Sequence, residues 1–338
     1  MANFQEVRLQ TGFVQLESVY GTVLNSTGAS TVANGDAFGF SELTMQQDQA
    51  ELTNPVKTTN LGQIDGQLSR KSPVSVTVAA PLVLSGSAGT VPDLDALYQA
   101  AFGRAAVVVS STSVTYTPDI NNYSVSLFDF VSPSTTEQRI AASCIVNSME
   151  IDFGSDWAGV RFSLSGKSLI ESKYFSSLDT EGKCGLTAFP SQPASPSFAY
   201  TPILGHKGSA TLDGNAYTTI LNGKITLTSG RAQQQNCFGT DYSQGVTSGM
   251  RNVNINWTML DDDSANLTSL KNKGRASTAV TVVFVLGVTA GNILTATARV
   301  KLGRPTYGVD GTLRTVNFNA TGRISSVSAN DDLVIALT

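Results

Sequence analysis

The residue types that most often do chemistry are sparse in this chain, and they do not gather. Among 338 residues there is one histidine, His206, in the stretch ILGHKGS. Imidazole works as a general base only beside an oriented partner, and the residues around His206 supply none. Zinc needs a set of Cys and His ligands at short spacings. Cys144, Cys184 and Cys237 are 40 and 53 residues apart with no CxxC, so they read as free thiols of a reducing compartment. Asp261, Asp262 and Asp263 form the densest carboxylate run. Calcium needs six or more oxygens from a wrapping loop, whereas acids just ahead of a helix read as caps. The run SGSAGT (85–90) precedes a helix but lacks the Lys-Ser or GxGxxG of a phosphate cradle. Trp157 and Trp257 read as core or interface anchors; a sugar platform is the alternative use of such aromatics. The expectation is no enzyme, no cofactor and no metal.

Composition points the same way. Hydrophobic residues make up 41% and charged residues only 14%. That balance suits sheets with one apolar face and one uncharged polar face. It also suits a surface used in contacts with copies of itself, since interface cores are poor in charge. Lys and Arg number 22 against 26 Asp and Glu, a formal net charge of -4. The pI is near 5.1. A nucleic-acid binder draws most of its affinity from cations on phosphates, and this chain is not basic, so it does not read as one. MANFQEVRLQ has no basic start with an apolar run behind it. The longest apolar stretch, 279–288, is too short to cross a bilayer as a helix. The expected place of assembly is a cytoplasm, without membrane insertion.

The elements that would position any site are mostly strands. Helical periodicity occurs twice. In PDLDALYQAAFG, Leu94, Leu97, Tyr98 and Ala101 form an apolar stripe, Pro92 opens the helix and Gly103 stops it. In DDSANLTSLKNKG, Asp263 or Ser264 caps, Leu267 and Leu270 face inward, and Gly274 is the expected stop. Elsewhere apolar residues alternate with polar ones, the mark of half-buried strands. Met149, Ile151 and Phe153 alternate with Ser148, Glu150 and Asp152. Val253, Ile255, Trp257 and Met259 alternate with Asn252, Asn254, Asn256 and Thr258.

The pattern is written twice. A shift of 156 takes Phe128 to Phe284, Val160 to Val316 and Phe162 to Phe318, so VRFSLSGK and VNFNATGR are one strand repeated. Ahead of each helix come a strand (37–45 or 217–228), a long polar loop (46–72 or 229–249) and a second strand (73–80 or 250–259). FPSQPASPS (189–197) reads as a linker. The expected division is an N-terminal arm 1–35, a first domain 36–175, a linker 176–200 and a second domain 201–338. The fold class is mainly β: two tandem β-sandwich or barrel domains, each with one flanking helix.

Taken together in order, these segments resemble a known family. VQLESVYGTVLNSTGAS (14–30), LSGSAGTVPDLDALYQAAFG (84–103), VTYTP (114–118) and YSVSLFDF (123–130) are similar to the first part of bacteriophage tail tube proteins of the long, non-contractile type. IVNSMEIDFG, VRFSLSGKSL, VNINWTMLDDD, DGTLRTVNFNATGR and NDDLVIAL continue the series, so the resemblance covers residues 10–337. It implies a structural virion protein of the tail, assembled in the host cytoplasm. Such proteins form stacked rings, a conduit for DNA ejection. The implied partners are copies of itself, other tail proteins at the tube ends, and passing double-stranded DNA without specific binding. With two tube domains per chain, three chains make a pseudo-six-fold ring. The family's long loop reaches the next ring, which makes Asp48, Glu51, Asn54, Lys57, Asn60, Gln233, Asn236, Asp241 and Gln244 ring-stacking candidates. Ser148, Glu150, Asp152, Asn252, Asn254 and Asn256 are the candidates for the channel wall. Alternation gives two faces and not which one lies inside. The alternatives are a hub or tube-initiating protein with the same fold, present in few copies, and a carbohydrate-binding β-sandwich module.

Overall fold

The alternating segments become strands because each places its apolar set on one face. Val74, Val76 and Val78 lie on Val74–Pro81, and Val160, Phe162 and Leu164 on Gly159–Gly166. Val253, Ile255, Trp257 and Met259 lie on Asn252–Leu260, and Leu294, Ala296, Ala298 and Val300 on Asn292–Leu302. All of these apolar side chains are buried. The computed structural model describes residues 10–17, 19–21, 36–49, 51–52, 67–68, 71–131, 137–154, 156–172, 201–234, 238–239, 242–326 and 329–338. It is mainly β, with two helices among the described residues.

Nineteen strands belong to one connected, barrel-like antiparallel network. Eight of them form a continuous run. Glu42–Gln46 pairs with Val74–Pro81, then Gly159–Gly166, then the second half of Glu137–Phe153. That half pairs in turn with Ile220–Thr228, followed by Asn252–Leu260, Leu313–Gly322 and Thr306–Asp310. A second layer covers each end of this run. Over the first four strands lie Ala37–Phe38, Gln10–Leu16, Val125–Val131, the first half of Glu137–Phe153 and Ser168–Ser172. Over the last four lie Asn215–Tyr217, Gly208–Leu212, Ala279–Thr289, Asn292–Leu302 and Val334–Leu337. One apolar cluster runs through both halves, from Val14 to Leu337. The halves are joined by sheet as well as by core. Residues 148–153 pair with 223–228, and residues 335–337 pair with 114–116.

The 17-residue strand Glu137–Phe153 serves both layers. It changes partners at a bulge between Ala141 and Cys144, where Ser143 takes a left-handed φ of 53°. An extra residue bends a strand and re-aims it. Buried Glu17 holds the bend: Oε1 accepts the Ser143 N–H at 2.7 Å and the Ser126 hydroxyl at 2.6 Å. Its Oε2 accepts the Ser124 hydroxyl at 2.8 Å. Gln10–Leu16 is thus a core strand, with Phe13 and Val14 buried, and part of the segment expected as an arm belongs to the sheet.

Helix α1 spans Asp95–Phe102 and ends on Gly103 at φ 71°, as its stripe and glycine required. Helix α2 spans Ala265–Arg275, and the Ser264 hydroxyl accepts the Leu267 N–H at 3.2 Å. Gly274 does not end α2, contrary to the sequence expectation. It sits inside the last turn, where a Cβ would stand 2.9 Å from the Gly303 carbonyl. Its smallness permits that approach. The two expected strands 37–45 and 217–228 are each split, into 37–38 with 42–46 and 215–217 with 220–228. The linker 176–200 and the cysteines Cys184 and Cys237 lie outside the described residues; Cys144 is a buried free thiol, and burial pushes its pKa well up.

Candidate functional site

Directly opposed residues in an antiparallel sheet share a face, so the register shows which polar residues stand together. Ser148, Thr228 and Asn252 are opposed in one row. Asp152, Lys224 and Asn256 form another, which runs on to Asn319. Between them lies the longest row: Glu42, Ala79, Arg161, Glu150, Thr226, Asn254 and Thr321, one residue from each of seven adjacent strands. All six wall candidates therefore lie on one face of the eight-strand run, across three neighbouring strands. Alternation buries the opposite face against the second layer, except on Thr306–Asp310, where Tyr307 and Val309 are exposed.

This face is polar, nearly neutral and internally paired. Its charges are Glu42, Glu150, Asp152 and Asp310 against Arg161 and Lys224, which leaves a small negative balance. Arg161 pairs with Glu42 at 2.9 Å and Lys224 with Glu150 at 2.6 Å. Burial raises the Asp152 pKa, and Glu150 raises it further, while Lys224 and Arg161 pull it down. Two exposed cations without an ion pair among the described residues border it, Arg304 in the groove at one end and Lys301 opposite Thr321, and no residues converge on it as a catalytic set would. A groove of about 600 Å³ at one end of the face is lined by Asp152, Lys224, Asn256, Arg304, Asn317 and Asn319. That lining is amide-rich, without a nucleophile beside a base.

The stacking candidates fare differently. Asp48 stands at the base of its loop: its carbonyl accepts the Ser72 hydroxyl at 2.7 Å and its carboxylate accepts the Gln46 amide at 3.0 Å. Glu51 begins a two-strand ribbon, Glu51–Leu52 against Gln67–Leu68. Gln233 is buried, and its amide donates to the Ser143 and Ser165 carbonyls at 3.2 and 2.6 Å. Its amide nitrogen is thus committed within the chain, while its Oε1 is buried without a partner among the described residues. Gln244 is exposed; its side-chain amide donates to the nearby Tyr242 carbonyl at 3.4 Å and its N–H to the Gln234 carbonyl at 3.2 Å. Asn54, Lys57, Asn60, Asn236 and Asp241 lie outside the described residues.

The other residues with chemical potential are accounted for locally. His206 is exposed in a turn. Asp261 pairs with Lys271 and with Arg314, and Asp262 accepts the Ser264 N–H at 3.0 Å. Trp257 is a core residue stacked 5.3 Å from Phe318, while Trp157 is half exposed. No group of three or more His, Cys, Asp or Glu able to hold a metal ion occurs among the described residues.

What sequence reasoning missed is Glu17 and Arg231. Arg231, from the second half, donates to the Ala100 carbonyl in the last turn of α1 and to the Asn121 carbonyl at 2.9 Å. It ties the second loop to the first helix. Arg231 is visible in sequence, in Ser229-Gly230-Arg231, but its partners Ala100 and Asn121 are more than 100 residues away.

Compared with known proteins, the chain matches no protein-family model and no curated sequence.

Proposed function

We propose that this chain is a structural subunit of a bacteriophage tail tube, and that its polar sheet face lines the channel. The observation that carries the reading is the eight-strand run. It consists of two successive four-strand sets in the same order, the last two strands of each set related by the shift of 156, with one face apolar and the other polar and poor in free cations. A wall of this kind does not trap phosphates, because counterion release rewards bare Lys and Arg, and a slight negative balance keeps the DNA backbone off the surface.

Size supports three chains per ring. Three copies of an eight-strand run give 24 strands. At about 4.8 Å per strand, the circumference is about 115 Å and the diameter about 37 Å before strand tilt widens it. Side chains fill about 5 Å on each side, so about 27 Å remains open, wider than a B-form duplex. The tandem four-strand sets then act as two tube domains. The loop after Glu42–Gln46, with its Glu51–Leu52 ribbon, is the part that stacks one ring on the next. Negative-stain microscopy of the purified protein at high concentration tests the reading. Hollow tubes or stacked rings are expected; a monodisperse particle the size of one chain contradicts it.

A further inference from the structure

Inside the chain, the last strand of the first four-strand set pairs with the first strand of the second set. Residues 148–153 meet 223–228, with Ile151 opposite Ile225 and Phe153 opposite Gly223. The run then ends in two strands with a single strand neighbour each among the described residues: Glu42–Gln46, against Val74–Pro81, and Thr306–Asp310, against Leu313–Gly322. These are the same two elements in the opposite copies. Tyr307 faces Val316 as Ile151 faces Val160, both at a shift of 156. Met45 faces Val76 as Ile225 faces Ile255, and Val76 faces Leu164 as Ile255 faces Ala320.

We infer that the open strand Thr306–Asp310 of one copy pairs antiparallel with Glu42–Gln46 of the next, repeating between chains the junction already present within one. The inference rests on the tube reading for its ring, and names the seam. Transferring the internal register sets Tyr307 opposite Met45 of the neighbour, Val309 opposite Leu43, Gly308 opposite Thr44 and Thr306 opposite Gln46. Three features of the two edges fit. The Leu43 and Met45 carbonyls accept side chains, from Gln10 at 3.4 Å and from Arg139, which places them on the side of the strand away from Val74–Pro81, where a neighbouring backbone would donate. Tyr307 and Val309 are 44% and 74% exposed although they occupy positions whose first-copy counterparts, Ile151 and Phe153, are buried. Finally, volumes trade across the seam: the internal Phe153–Gly223 pair becomes Val309–Leu43. Asp310 comes opposite Glu42, whose carboxylate Arg161 already holds at 2.9 Å. An exposed edge with an apolar stripe is a template for another strand.

The seam can be trapped covalently. In the full chain with Cys184→Ser and Cys237→Ser, the pair Gln46→Cys and Thr306→Cys is oxidised and run on a denaturing, non-reducing gel. With Leu43 and Met45 outward, Gln46–Thr306 is a non-hydrogen-bonded pair with Cα atoms about 4.5 Å apart, within disulfide reach. Glu150→Cys with Thr226→Cys is the same pair within the chain and is the positive control. Glu42→Cys with Thr306→Cys is the out-of-register control. The expected products are two- and three-chain species and nothing larger, with Val309→Lys lowering the linked fraction at least tenfold. That substitution is at an exposed position and leaves the single chain folded, as circular dichroism will check. Closure of the internal control without any interchain link overturns the seam, as does a ladder beyond three chains or equal linking by the out-of-register pair. Tubes that form without the link overturn the seam and leave the tube reading standing. Linked three-chain rings that never stack keep the seam and overturn the tube.

Discussion

Replacing Gly223 by alanine probes the internal seam by its tightest contact. The Phe153 ring lies across Gly223, and an added Cβ would stand 2.3 Å from Cζ and 2.7 Å from Cε2. Carbon atoms in contact prefer about 3.5–4.0 Å, so the overlap exceeds 1 Å. Phe153 is nearly buried and rests on Phe284 with ring centroids 5.0 Å apart, which blocks its retreat. Overpacking of this kind costs about 1–3 kcal/mol. Removing glycine from a strand returns roughly 0.5–1 kcal/mol, so the net loss is about 1–2 kcal/mol. At about 2.1 cal/mol/K per residue, the unfolding entropy of this chain converts that to a fall in Tm of roughly 1.5–3 °C. Urea unfolding followed by Trp257 fluorescence measures it. Shrinking the ring with Phe153→Leu in the same chain relieves the clash, and the double-mutant cycle shows a favourable coupling of about 1 kcal/mol. Wild-type stability of Gly223→Ala, or additivity of the two changes within about 0.5 kcal/mol, would falsify the assigned contact.

Three further outcomes follow from particular contacts. Glu17→Ala strands the Ser143 N–H and the buried hydroxyls of Ser124, Ser126 and Ser143, and lowers stability by about 3–5 kcal/mol; urea midpoints check it, and a loss under 1 kcal/mol contradicts the account of the bend. Glu150→Lys with Asp152→Lys reverses the sign of the polar face and removes the partner of Lys224. Particles carrying the pair assemble and bind cells but release DNA more slowly at low salt, with the defect easing as salt rises; unchanged ejection at low salt would place these residues on the outside. Shortening residues 53–66, beyond the ribbon of Glu51–Leu52 and Gln67–Leu68, leaves folded rings that no longer stack, as sedimentation and microscopy will show; normal tubes from that variant would deny the loop its role.

The sequence was most informative where alternation was strict. Val253, Ile255, Trp257 and Met259 announced a buried face, and the polar residues between them announced the opposite one, because a period of two permits no other arrangement. The shift of 156 between VRFSLSGK and VNFNATGR proved to be a repeat of register as well as of letters. Legibility ended where partners are distant. In AASCIV (141–146) alternation is lost, since a strand covered on both sides carries no polar face. The partner switch at Ser143 depends on Glu17, more than 100 residues earlier. Gly274 looked like a stop because glycine commonly ends helices, but here it makes room for a neighbouring carbonyl. Gln233 looked like a loop residue because its neighbours are polar, yet its amide is spent on two internal carbonyls. Which face lines a channel was not legible at all, because that is a property of copies placed together.

The mass of a single released ring tests that placement most directly. Native mass spectrometry of rings dissociated from tubes, or of the ring-forming protein before stacking, counts the chains. With 35.5 kDa per chain, the account predicts one species of three chains, near 106 kDa. A ring of six chains, or a protein that remains a single chain at every concentration, would contradict it.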